Sequence, residues 1–173
     1  MQFTPNTEAM KALPAKEGLD AVIAMSPENF AYASGAYIST VRLIRPRHAY
    51  AVFPAKGEPF NIVCSIEESL TRSESWIPDV RTYTEFAEIP VEVLARELKK
   101  EGLGSGKLGI DLDYLPVSAY EALTAALPDA EFVNTTETVT GVRVIKGESE
   151  IALIEAARAG ALASMPSTVS CSA

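Results

Sequence analysis

Residues 48–64, HAYAVFPAKGEPFNIVC, constrain the fold of this chain more than any other stretch. Two apolar runs, HAYAVFP and FNIVC, flank a short turn, AKGEP, that carries a glycine. Runs of this length rich in Val, Ile, Phe and Tyr suit strands, and a Gly-containing turn between them is the mark of an antiparallel hairpin. Around the hairpin the chain has a different rhythm. DAVIAM, DVRTY, KLGID and AEFVN read as further strands, and each is set off by a stretch of helical character. A hairpin embedded in strand–helix alternation predicts an α/β three-layer sandwich. Its sheet is mixed and roughly six-stranded, with one antiparallel hairpin and helices on both faces.

The helices carry their own signals. TEAMKAL opens one, with Thr7 as cap and Met10 and Leu13 facing inward. In SPENFAYASG, Ser26 caps, Pro27 fits the first turn and Gly35 closes the end in a left-handed conformation. Ser65 and Glu68 stand at capping-box spacing. Val91, Leu94, Ala95 and Leu98 recur at i, i+3, i+4 and i+7, the stripe of an amphipathic helix. LPVSAYEALTAALPD places Tyr120, Leu123 and Leu127 on one side of another. TETVTGVRVIKG reads as a short helix followed by extended chain, and a last helix starts near Glu148.

With 173 residues the chain suits one domain. Its net charge is −8, which argues against nucleic acid and against an anionic membrane surface. No apolar run approaches the roughly 20 residues that span a bilayer. The N-terminal sequence lacks the layout of a signal peptide, and Cys64 and Cys171 make no disulfide framework. The expected location is the cytoplasm.

Candidate chemistry is sparse. Gly104, Gly106 and Gly109 match G-x-G-x-x-G, but they follow a helix and lead into a strand, the reverse of the dinucleotide-binding order. Leu108 also stands where a P-loop needs Ser or Thr. Asp111 and Asp113 could share a metal, yet no third ligand is in view. The simpler reading makes Asp113 a helix cap and leaves Asp111 solvated or hydrogen-bonded. His48 is the single histidine, and with arginines beside it the neighbouring positive charge disfavours its protonated form. Cys64 reads as a packing residue. The unusual stretch is VRLIRPRH, where Arg42, Arg45, Arg47 and His48 gather in an acidic protein. Arginine's planar fork suits a carboxylate, so the cluster fits an anion clamp. It fits as well a solvated loop, or arginines paired with surface acids or a partner subunit.

Four stretches together resemble the N-terminal, non-catalytic domain of the creatinase, prolidase and Xaa-Pro aminopeptidase superfamily. They are GLDAVIAMSPENFAYASG, the hairpin, KLGIDLDYLPVSAYEALTAALPDAEFVN, and VRVIKGESEIALIEAA. The resemblance spans about residues 7–163 and implies an RNase H-like motif. It divides the chain into that domain over 1–146, the first helix of an absent catalytic domain over 147–163, and a disordered or foreign tail over 164–173. In the family that helix leads into a catalytic domain whose Asp, His and Glu residues hold two divalent metal ions. The resemblance therefore implies no cofactor and no catalytic residue in this chain. It implies as partners its own catalytic domain, a second copy in a homodimer, and a small peptide or carboxylate-bearing substrate. It also implies that Arg47, with Arg45 next and His48 beside them, faces substrate across a dimer. The expected role is to shape the pocket of a metal-dependent Xaa-Pro dipeptidase or aminopeptidase-like hydrolase and to aid dimerisation. The alternatives are a domain of a creatinase-like or other non-peptidase hydrolase or lyase, and a free-standing dimerisation or binding domain.

Overall fold

The structure, a computed structural model, describes residues 6–164. Of the expected tail, 164–173, Ser164 is the last residue of a helix, and residues 165–173, Cys171 among them, lie outside the described residues. Six strands form one sheet: β1 (Ala21–Ala24), β2 (Tyr50–Pro54), β3 (Phe60–Cys64), β4 (Asp79–Tyr83), β5 (Lys107–Ile110) and β6 (Glu131–Asn134). Their order is β4-β3-β2-β1-β5-β6. Only β2 runs against the rest, so it is antiparallel to both β1 and β3, and the other pairings are parallel. The expected hairpin is therefore β2–β3, and the same reversed strand adds a second antiparallel seam.

The central strands are apolar throughout because both faces are covered, as a mixed sheet with helices on each side requires. Ile23, Val52 and Ile62 enter one core together with Leu94 and Leu98 of α5 (Pro90–Lys100) and Leu123 of α6 (Val117–Ala126). Val22, Ala51 and Val63 enter the other. There they meet Met10 and Leu13 of α1 (Thr7–Lys16), Phe30 of α2 (Pro27–Ser34), Val41 of α3 (Ser39–Leu43) and Val139 of α7 (Thr136–Val144). The alternation of residues 21–24 between the two cores is the period-2 pleat of a strand. Each fully buried Leu, Ile or Phe contributes about 1.5–3 kcal/mol relative to exposure.

Local expectations fared unevenly. Ser26 caps α2 by accepting from the Asn29 N–H, and Gly35 ends it at φ 81°, where a Cβ would be strained. For α1 the cap is Asn6, not Thr7: the Asn6 side chain accepts from the Ala9 N–H. No capping box forms at Ser65, because 65–67 make a 3-10 turn that feeds α4 (Glu68–Glu74). Glu68 pairs instead with Arg72 one turn on. Nor is Val142–Val144 extended. The helix α7 continues through Val144, with Val139 and Val142 packed inward and Arg143 tied to Asn29. Only a short link then precedes α8 (Glu148–Ser164).

Candidate functional site

All strands except β2 end at the same edge of the sheet, and β2 begins there. Ligands in α/β sheets gather outside such carboxyl ends. A cleft of about 590 Å³ opens at this edge. One wall is the segment before β2, with Arg45, Pro46 and His48. The other is the loop after β4, with Glu85, Phe86 and Ile89, closed below by Pro116 and Ala119 at the start of α6.

His48 is 8% exposed. Its Nδ1 lies 2.8 Å from the Tyr50 hydroxyl. The Tyr83 hydroxyl donates to the His48 carbonyl at 2.9 Å and accepts from its N–H at 3.1 Å. This bolts the segment before β2 to β4. Burial pushes the imidazole below its ordinary value, so it is neutral near pH 7. The direction is the one expected from sequence, but the cause is desolvation and not the neighbouring arginines. Among the described residues no carboxylate orients the ring, so His48 can offer or accept a hydrogen bond but is not part of a nucleophile–base–acid triad there.

The arginines separate. Arg42 pairs with Glu28 at 3.1 Å on the surface. Arg47 is 12% exposed and makes a fork with Glu85: Nε to Oε1 at 2.6 Å and Nη2 to Oε2 at 2.8 Å. Its Nη1 reaches Glu67 at 3.4 Å, and that carboxylate also accepts from the Thr40 hydroxyl at 2.5 Å. The Arg47 bond holds the Glu85 carboxyl below its usual range. Arg45 has no ion pair among the described residues and borders the cleft with its guanidinium exposed. Of the three residues singled out from sequence, Arg45 and His48 thus meet at the cleft, and Arg47 is committed to two glutamates beside it.

Phe86 was not singled out from sequence. It is 96% exposed and adopts φ 63°, a conformation bulky side chains avoid. Its flanks explain why. Glu85 is held by Arg47, and Glu88 accepts from the Thr84 N–H at 2.8 Å while pairing with Arg96. With both sides fastened, the residue between them is forced outward at the rim of the cleft. A loop of this kind without Gly, TYTEFAEIP, gives no local sign of it.

The paired aspartates do not form a metal site. Asp111 is fully buried and saturated: Oδ2 accepts from the Met25 and Ser26 N–H groups at 2.9 and 2.8 Å, and Oδ1 from Asn29 Nδ2 at 3.0 Å. Asp113 accepts from Asn134 Nδ2 at 2.8 Å rather than capping α6, whose cap position is Pro116. Among the described residues, no group of three or more His, Cys, Asp or Glu is placed to hold a metal ion. The glycine triplet is a helix-to-strand connection. A Cβ on Gly109 would lie 2.5 Å from Thr135 Cγ2, so that glycine serves close packing. Cys64 is buried, as a packing residue is. No helix among the described residues is long and apolar enough to cross a membrane.

Comparison with known proteins agrees with this architecture. The family model for the Creatinase/Prolidase N-terminal domain matches residues 7–145. A creatinase of Bacillus sp. is 24% identical over 155 residues, covering 89% of this chain and 36% of that protein. An Xaa-Pro dipeptidase of Lactobacillus delbrueckii subsp. lactis is 25% identical over 148 residues, covering 84% of this chain and 39% of that protein. The crystal structure of a proline dipeptidase from Streptococcus pneumoniae shares the fold, with TM-score 0.68 and 22% identity over 83% of this chain and 100% of that one. The chain spans well under half the length of the curated relatives it matches.

Proposed function

The chain belongs to the creatinase/prolidase N-terminal domain family, and we propose that it is the non-catalytic domain of a metal-dependent Xaa-Pro dipeptidase or aminopeptidase-like hydrolase. The observation that carries this reading is the family match over 7–145, which takes in all six strands. In this reading the two divalent metal ions and the residues that hold them belong to a catalytic domain following α8. The domain described here shapes the substrate pocket and supports a homodimer, with the carboxyl-edge cleft turned toward substrate. Arg45 is then the residue best placed for a substrate carboxylate, because its guanidinium is free. Arg47 would first have to leave Glu85, and in its present position it stiffens the cleft wall. His48 contributes a neutral hydrogen-bonding edge.

The test is kinetic. In the full-length parent, Arg45→Ala should raise KM for an X-Pro dipeptide with little change in kcat, since a uniform binding contact is removed. An unchanged KM overturns the pocket role. The similarity to a creatinase favours one second reading, in which the parent acts on a small non-peptide substrate. Assay of the parent on X-Pro dipeptides against small amidino compounds separates the two.

A further inference from the structure

Asn29 and Tyr32 stand at i and i+3 on α2, so both project from one face of that helix. Each grips a different element. Asn29 donates through Nδ2 to Asp111 at 3.0 Å and accepts through Oδ1 from Arg143 Nη1 of α7 at 2.8 Å. Tyr32 donates its hydroxyl to Glu150 of α8 at 3.4 Å and accepts from the Asn6 N–H at 3.3 Å. The same Glu150 oxygen accepts from the Gly147 N–H at 2.9 Å, at the entry to α8. Asp111 in turn is fastened at the sheet edge by the Met25 and Ser26 N–H groups. Hydrogen bonds from α2 thus reach Asp111 just past β5, Arg143 in the last turn of α7 and Glu150 at the start of α8.

These bonds are not surface ornaments. Asp111, Asn29 and Glu150 are at most 6% exposed, and polar groups so buried are costly to leave unpartnered. Where the side chains of α8 are described its apolar packing is slight: Ile151 and Ile154 are exposed and Leu153 is half-buried. We infer that Asn29, Tyr32, Arg143 and Glu150 are positioning residues of a joint that fixes the direction in which α8 leaves the sheet. The joint is a property of this chain. Its consequence rests on the proposed function: a domain following α8 would be seated relative to the cleft by these four side chains.

Dipolar EPR on the chain tests the joint. Nitroxides go on Glu58→Cys, in the β2–β3 turn, and Ala157→Cys, on the exposed side of α8, with Cys171→Ser as background. The unsubstituted joint should give one narrow distance distribution. Glu150→Ala and Arg143→Met should broaden it by about twofold or more, reporting a wider spread of α8 orientations. Glu150→Gln keeps an acceptor oxygen and should stay narrow. Tyr32→Phe, which removes a single hydroxyl, should broaden it even if Glu150→Ala does not fold. A distribution already broad in the unsubstituted joint, or one left narrow by Tyr32→Phe and Arg143→Met, overturns the inference. Neither outcome depends on activity, so the KM test of the proposed function stands or falls separately.

Discussion

Exchanging an amide and a carboxylate between positions 29 and 111 tests the direction of the buried hydrogen bonds. In the native chain the donors all point one way: Arg143 donates to Asn29, and Asn29 donates to Asp111. From the other side the Met25 and Ser26 N–H groups also donate into Asp111. Asp111→Asn keeps the shape and breaks this order. The new amide must turn its oxygen to the two backbone donors, which aims its NH2 at the NH2 of Asn29. If Asn29 flips to accept, its own NH2 meets the Arg143 guanidinium. Either way two donors face each other, buried in the first case and half-buried in the second. A hydrogen bond to a charged group contributes about 1.5–3 kcal/mol, and an orphaned buried donor costs about 1–3 kcal/mol. Asp111→Asn should therefore destabilise by about 2–4 kcal/mol and lower Tm by roughly 4–16 °C for a domain of this size. Asn29→Asp alone sets two carboxylates side by side, so one must take up a proton, and it too destabilises. The double exchange restores the order, with the carboxylate now against Arg143 and the amide donating to it. Urea unfolding followed by the fluorescence of Trp76, the single tryptophan, reads all four proteins. The double variant should recover most of the loss, with a coupling energy of at least about 1.5 kcal/mol. Additive losses would refute the directional account.

Three further predictions concern the sheet and the cleft. Gly109→Ala should destabilise by about 1–3 kcal/mol in chemical unfolding, because the added methyl overpacks β5 against Thr135 and Leu19; a neutral result would mean the β6–α7 turn yields freely. The native His48 imidazole takes a proton less readily than the unfolded one, whose value is near 6.5. As pH falls below that value the unfolded state protonates first, so stability present at higher pH is lost, by up to about 1.4 kcal/mol per pH unit. His48→Gln should remove this component from the pH profile of unfolding, and parallel profiles would contradict it. Arg47→Ala should lower Tm more than Arg45→Ala, since Arg47 ties the wall before β2 to Glu85 and Glu67 while Arg45 has no ion pair among the described residues; equal shifts would show that the fork does not stiffen the cleft.

What could be read from the sequence was local and periodic. The β2–β3 hairpin, the Ser26 and Gly35 caps and the Val91–Leu98 stripe each write their geometry into neighbouring residues. Where two capping residues adjoin, as Asn6 and Thr7 do, composition does not say which one turns its side chain to the helix. The extended reading of Val142–Val144 failed for a different reason. β-branched residues suit strands, but here inward packing of Val139 and Val142 and the Arg143–Asn29 bond favour helix. The site was less legible still. Arg47 meets Glu85 across 38 positions, and Asn29 meets Asp111 across 82. Such pairings leave no spacing to find. The strain at Phe86 arises between Glu88, held locally by the Thr84 N–H and Arg96, and Glu85, held by Arg47 from 38 positions away, and that distant half leaves no sign in its own stretch.

A domain that serves a hydrolase without carrying its chemistry, as proposed, has no activity of its own. The direct test is hydrolysis of an X-Pro dipeptide with added divalent metal ions. It compares the 173-residue chain with a longer parent protein in which a catalytic domain follows α8. The expected results are no hydrolysis by the chain alone, hydrolysis by the longer protein, and a raised KM in its Arg45→Ala variant. Hydrolysis by the chain alone, or a longer protein inert toward X-Pro dipeptides, would contradict the proposal.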